Sequence, residues 1–313
     1  ILPMGLAFYT LQILAYLIDI YRGKADAEPN LLKYALFVSF FPQILQGPIP
    51  RFQDLQPQLM KGEPIRWQNL RSGGQLILWG LFLKYMIADR AAIPVNRIFD
   101  LYPTYQGIYI LLGSALFLLQ LYADFLACTT LAQGVSELFG IHLAENFRQP
   151  FFSRTVKEFW GRWHLSLSFW LRDYVYFSLG GSRKGPVRKL LNLCLTFVAS
   201  GIWHGGQLNF LIWGMMQALA QIFGDWTRGF RERFFTRLRM PWDSLPRIIF
   251  STLFINLYLW LPTVFFRAAS ARQGLVMLRS LFTVWNPWVL LDGSLLNLGL
   301  GAAEWNLLVL ALG

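Results

Sequence analysis

Apolar residues run through this chain in long blocks, without the alternation of a half-buried strand or the one-sided stripe of a soluble helix. A hydrocarbon core about 30 Å thick takes about 20 apolar residues in a helix. The blocks at 4–21, 73–93 and 107–128 reach that length with few charges. The pattern predicts membrane helices at 4–21, 31–47, 72–93, 107–128, 159–179, 189–204, 208–226 and 246–268. The expected fold is all-α, a polytopic transmembrane helical protein forming one domain over residues 1–313. Between the blocks, 51–68 is polar and Pro-rich and belongs at a membrane face. The mixed stretch 131–140 has helical periodicity and fits an interfacial or re-entrant position. Residues 227–244 read as a basic, aromatic loop against an anionic lipid surface, and 272–291 as an interfacial helix. No internal repeat is visible, which speaks against transporter folds built from duplicated halves. The chain opens at Ile1 without a start methionine, and the apolar run from Trp305 stops at Gly313 before it is long enough to span. Further spans are expected on both sides.

Composition agrees with membrane residence. Hydrophobic residues make up 55% of the chain and charged ones only 14%, against about 25% charged in soluble proteins. The net charge of +11 comes from basic residues grouped between the blocks: Arg22 and Lys24, then 61–71, 183–189 and 228–239. Loop-flanking Lys and Arg of this kind are a membrane signature, and they exclude nucleic acid as the partner; the expected partner is the lipid bilayer. Cys128 and Cys194 both lie within apolar segments, which argues against a disulfide framework or a zinc site.

The block at 158–179 breaks the apolar pattern, carrying Glu158, Arg162, His164, Arg172 and Asp173 within one helix length. A charge near a helix centre costs roughly 2.5–3.5 kcal/mol on insertion, so such a helix packs inside a bundle or lines a wet cavity. As one helix it would place Glu158 and Arg162 together and align Trp160, His164, Leu167 and Ser168 on another face. The plainer alternative is an interfacial helix with snorkelling arginines. In the next block Arg188 and Lys189 mark a surface, so an apolar helix from Leu190 to His204 rises only about 22 Å. Gly205 and Gly206 then stop the helix, and Asn209 is placed to cap a new one. This sets His204 at a helix end inside the membrane, lining a cavity; the alternative is an interfacial histidine bonded to water. His142 reads as a loop residue.

The sequence has no Gly-x-Ser-x-Gly elbow, no His-Glu-x-x-His and no P-loop. A histidine can take the proton of an alcohol as that alcohol attacks an acyl carbonyl. A thioester donor suits this, because its thiolate departs readily without a protein nucleophile. A metal would want more ligands than Glu158 and Asp173 add to the two histidines, and none is expected.

At these residues the chain resembles the membrane-bound O-acyltransferase (MBOAT) superfamily, in the branch that acetylates alginate and bacterial cell-wall polymers. The likeness rests on Glu158-Phe-Trp-Gly-Arg-Trp-His164-Leu-Ser-Leu-Ser168, Leu171-Arg-Asp-Tyr174, Leu179-Gly-Gly-Ser-Arg-Lys-Gly185, Gly201-Ile-Trp-His204-Gly and Val264-Phe-Phe-Arg-Ala268. Upstream, Phe41-Pro-Gln-Ile-Leu-Gln-Gly-Pro48 and Glu145-Asn-Phe147 also match. The resemblance implies a ring of helices around a central funnel or tunnel in the bacterial cytoplasmic (inner) membrane. His204 matches the family's invariant histidine, the general base, and His164 its second polar position. Trp163 and Trp203 would shape the tunnel, with Ser168, Asn209, Arg172 and Asp173 along it. The implied donor is acetyl-CoA, with no bound cofactor. The implied partner is an extracytoplasmic SGNH-type acetyltransferase serving a polysaccharide acceptor. Three positions depart from the family pattern: Leu126-Ala-Cys-Thr-Thr130 follows Asp124-Phe125 where Ser-Gly and an acid are common, Gly161 replaces a frequent arginine, and Pro262 interrupts a helix. A sibling activity, D-alanyl transfer to teichoic acid, is the alternative within the family. Outside it stand a transporter with histidines as a proton relay, and a scaffold that docks a soluble transferase.

Overall fold

The computed structural model describes residues 5–44, 46–62 and 64–311, and among them it is helical with no strand. Helices α1 (Leu6–Tyr21), α2 (Leu31–Ser39) and α3 (Phe52–Lys61) come first. Then α4 (Trp67–Phe82) and α5 (Asp89–Asp100) run on through a π-helical turn at Leu83–Ala88. The chain continues through α6 (Ile108–Leu138), the short α7 (Val156–Trp160) and α8 (Leu165–Leu171), and the hairpin α9 (Pro186–His204) and α10 (Leu208–Trp226). Last come α11 (Arg228–Arg237), α12 (Leu245–Arg267), α13 (Ala271–Thr283) and α14 (Ala302–Leu310).

The all-helical class stands. Of the eight expected spans, α6 and α12 are the two that combine sufficient length with strong apolarity, among the described residues. The block 31–47 is not one helix, because α2 stops at Ser39 just before Pro42. Proline lacks the N–H a helix needs and pushes the preceding residue out of helical geometry. The stretch 131–140 is no separate element but the end of α6. Its polar residues read as an edge, yet they continue the helix to Leu138, and Gly134 serves packing. A Cβ on Gly134 would lie 2.8 Å from Gly73 O of α4, and one on Gly73 2.7 Å from Gly134 O. Two glycines thus let α4 and α6 touch backbone to backbone, as small residues do in membrane packing. Residues 227–244 are not all loop, since α11 forms before Arg239, at φ 53°, and Pro241 end it.

The core that anchors the site joins four helices. Ile98 and Phe99 of α5, Ile110 and Phe117 of α6, Val264 of α12 and Met277 of α13 are buried together. Within 72–93, Lys84 Nζ reaches Asp124 at 2.7 Å and Asp89 at 2.8 Å, while Arg90 Nε is buried with no hydrogen-bond partner.

Candidate active site

The helix expected over 159–179 breaks at Gly161. After α7 the chain makes a turn in which His164 takes a left-handed backbone, φ 44° and ψ 57°, before α8 starts at Leu165. The Trp160–His164–Leu167–Ser168 stripe therefore does not exist as one helix face. Glu158 still meets Arg162 at 2.7 Å, with Arg162 now beyond the helix end. The turn is held from outside. Asn146 O accepts from Leu165 N–H (2.9 Å) and Asn146 Oδ1 from Ser166 N–H (3.0 Å), so one residue satisfies two free N–H groups of the α8 start. Arg162 O accepts from Arg148 N–H (2.9 Å), and Ser168 Oγ donates to Trp163 O (3.1 Å).

His164 is 3% exposed, its ring lies edge-on to Phe125 at 4.5 Å, and its Nε2 has no hydrogen-bond partner. On its other side stands Trp203, 6.0 Å away between ring centroids. The same indole lies 4.8 Å from His204 and donates its Nε1–H to Ala7 O of α1 (3.3 Å). Both histidines thus border one tryptophan. Two further rings enclose His204, Trp213 of α10 at 5.2 Å and Phe266 of α12 at 5.0 Å.

His204 is the last residue of α9, as the glycine pair predicts. The helix starts earlier than expected, at Pro186, where Gly185 at φ 88° and proline in the first turn make the start. Its 19 residues rise roughly 28 Å, nearly a full hydrocarbon slab. The added residues, Pro186 to Lys189, carry the basic pair that marks the surface, so the apolar part from Leu190 to His204 still rises only about 22 Å, and three rings border His204. Asn209 does not cap α10. Its Nδ2 donates to Phe265 O (3.2 Å) and Ala268 O (3.0 Å), fixing the end of α12 and so the placement of Phe266.

Trp163 packs in an aromatic cluster with Phe147, Phe159 and Tyr122, one layer behind His164. Arg172 and Asp173 are not with the histidines; two turns on, they lie roughly 12 Å along the axis from His164. Asp173 accepts from Arg51 (3.0 Å) and Arg172 (2.8 Å), and its backbone carbonyl from Arg22 (3.1 Å). This polar knot borders a separate cavity of about 490 Å³ with Lys24 and Ser178. His142 is exposed and pairs with Glu137 at 2.6 Å.

Sequence reasoning missed Asn146, Trp213 and Phe266. Asn146 carried a signal, since it belongs to the Glu145-Asn-Phe147 motif. Phe266 also carried one, lying in the Val264-Phe-Phe-Arg-Ala268 motif, whereas Trp213 carried none, because aromatics are common on every apolar block here.

Two histidines, one in the turn before α8 and one at the end of α9, thus share one indole among aromatic rings. The sequence matches the MBOAT, membrane-bound O-acyltransferase family over residues 22–261, and the chain belongs to that family. A protein of Pseudomonas fluorescens named "probable alginate O-acetylase AlgI" is 39% identical over 68% of this chain and 43% of its own length. The peptidoglycan O-acetyltransferase of Helicobacter pylori is 32% identical over 90% of this chain and 57% of its own. The teichoic acid D-alanyltransferase of Bacillus subtilis is 30% identical over 73% and 61%. The chain spans about half the length of the curated relatives it matches.

Proposed function

We propose that this chain is the catalytic part of a membrane O-acyltransferase that moves an acetyl group from a cytoplasmic thioester, acetyl-CoA, toward a polysaccharide outside the cell. The observation that carries this reading is the pair of enclosed histidines on either side of Trp203. His204 takes the proton of the acceptor hydroxyl as its oxygen attacks the thioester carbonyl. The tetrahedral intermediate collapses to the ester, and the departing thiolate receives the proton from the imidazolium. His164, with Nε2 unpaired, orients the acceptor oxygen or shares the proton.

Topology supports the direction of transfer. The open ends of the α9–α10 hairpin meet where Lys189 pairs with Asp225 at 2.5 Å. The basic groups at 183–189 and 228–239 cluster at those ends, away from His204. The positive-inside rule assigns that end to the cytoplasm in a multi-pass inner-membrane protein whose helices surround a funnel. An SGNH-type acetyltransferase outside the membrane would complete delivery to the polymer. Higher identity to the acetylase than to the D-alanyltransferase favours acetyl over D-alanyl transfer.

In the test, His204→Ala is expressed as full-length protein and acetate on the surface polysaccharide is measured. Acetylation falls to background at normal protein level; retained acetylation would overturn the assignment. His164→Ala should lose most but not all turnover.

A further inference from the structure

A cavity of about 1080 Å³ opens between α10, α11, α12 and the start of α7. None of the residues that touch His164 or His204 lines it. Its side walls are apolar: Leu219 and Phe223 on α10, Phe250 and Phe254 on α12, each more than half exposed. Helix α12 is long and apolar enough to cross a membrane, and only a third of its apolar window is buried. The cavity therefore opens sideways toward the hydrocarbon.

Its polar edge is basic, carrying Arg154, Lys157, Arg228 and Arg231. The two acids on that edge are already engaged from outside the cavity, Asp225 by Lys189 (2.5 Å) and Glu232 by Arg247 (2.7 Å). Arg154 reaches Trp242 O (2.9 Å) and Asp243 (3.4 Å). The ion pairs of the described residues leave Lys157, Arg228 and Arg231 without a carboxylate; Arg231 donates its Nη2 to Gly224 O (2.6 Å), and its Nε is buried with no partner.

We propose that this cavity is a binding site for an anionic glycerophospholipid, its phosphate on Lys157, Arg228 and Arg231 and its acyl chains along Leu219, Phe223, Phe250 and Phe254. A basic edge at the membrane surface joined to an apolar side wall fits an amphiphile with a negative head and long chains. A zwitterionic lipid adds an ammonium that the bases repel. An acetyl thioester brings no chain long enough for the wall.

The full-length protein is placed in nanodiscs carrying a photoactivatable acyl-chain analogue of phosphatidylglycerol or of phosphatidylcholine. Labelled peptides are then mapped. Phosphatidylglycerol should label 216–223 and 250–258 severalfold more than phosphatidylcholine, and Arg228→Gln/Arg231→Gln should reduce that labelling about tenfold. The Arg228→Lys/Arg231→Lys pair preserves charge, and with it labelling should persist, separating loss of the site from misfolding. Leu219→Trp, which fills the wall and keeps the bases, should reduce labelling as well. Equal labelling by the two lipids, or labelling unchanged by the Gln pair, would overturn the proposal. Displacement of phosphatidylglycerol by free coenzyme A would overturn it too, and would assign the cavity to the acyl donor.

Discussion

At His164 one residue answers two demands, a left-handed backbone and an imidazole beside Phe125. The left-handed region costs most side chains about 1–2 kcal/mol, asparagine less and β-branched residues more. His164→Asn should therefore unfold close to the parent in detergent, whereas His164→Val should lose about 1–2 kcal/mol more. Both should be poorly active, since both lack the ring. Equal unfolding midpoints would show that the backbone demand is absent. The residue types at the site were legible: histidines and tryptophans stood out in an apolar chain and fell in family motifs. The turn that orients His164 was not. Neither Gly161 nor His164 reads as a strong break, and the clamp is Asn146, separated by 20 residues from Ser166, whose N–H it binds.

Among the elements, the α9–α10 hairpin decides where His204 sits. A Cβ on Gly214 would lie 2.4 Å from Phe197 O of α9, while one on Gly224, on the same helix, meets nothing within 4 Å. Gly214→Ala should force the helices apart, lowering both stability and acetyl transfer. Gly224→Ala should instead raise stability by about 0.5–1 kcal/mol, as a helical glycine with open space at its Cβ does when replaced by alanine. Unfolding midpoints of the two variants, read beside activity, check the contrast. This hairpin was largely readable, because Gly205-Gly206 and the charged flanks punctuate it. Helices α2 and α11 were less so. An apolar block hid the effect of Pro42, and a basic run looked like loop until its helical turns closed.

Across the whole molecule, distant contacts assemble the site: α1 accepts from Trp203, the 146 region grips the α8 start, and Asn209 ties α10 to α12. Asn209→Ala should cost about 1–3 kcal/mol by leaving two buried carbonyls unpaired, and should lower turnover as Phe266 relaxes from His204. Asp173→Asn, in the separate knot with Arg22 and Arg51, should cost a similar amount and leave turnover unchanged. Loss of turnover in both would join the knot to the chemistry. Such contacts join segments far apart in the chain, so no local pattern announces them. The 31-residue α6 carries a further consequence. It extends roughly 46 Å and the 23-residue α12 roughly 34 Å, against a slab of about 30 Å. The two pack together through Leu118, Ile255 and Leu259, so a change in bilayer thickness alters the lean of one against the other. Phe125 on α6 touches His164 and Phe266 on α12 touches His204, so that lean slides the two rings. On the proposed function, the full-length protein should therefore act as a thickness gauge, with transfer rates in synthetic bilayers passing through a maximum as lipid chains lengthen.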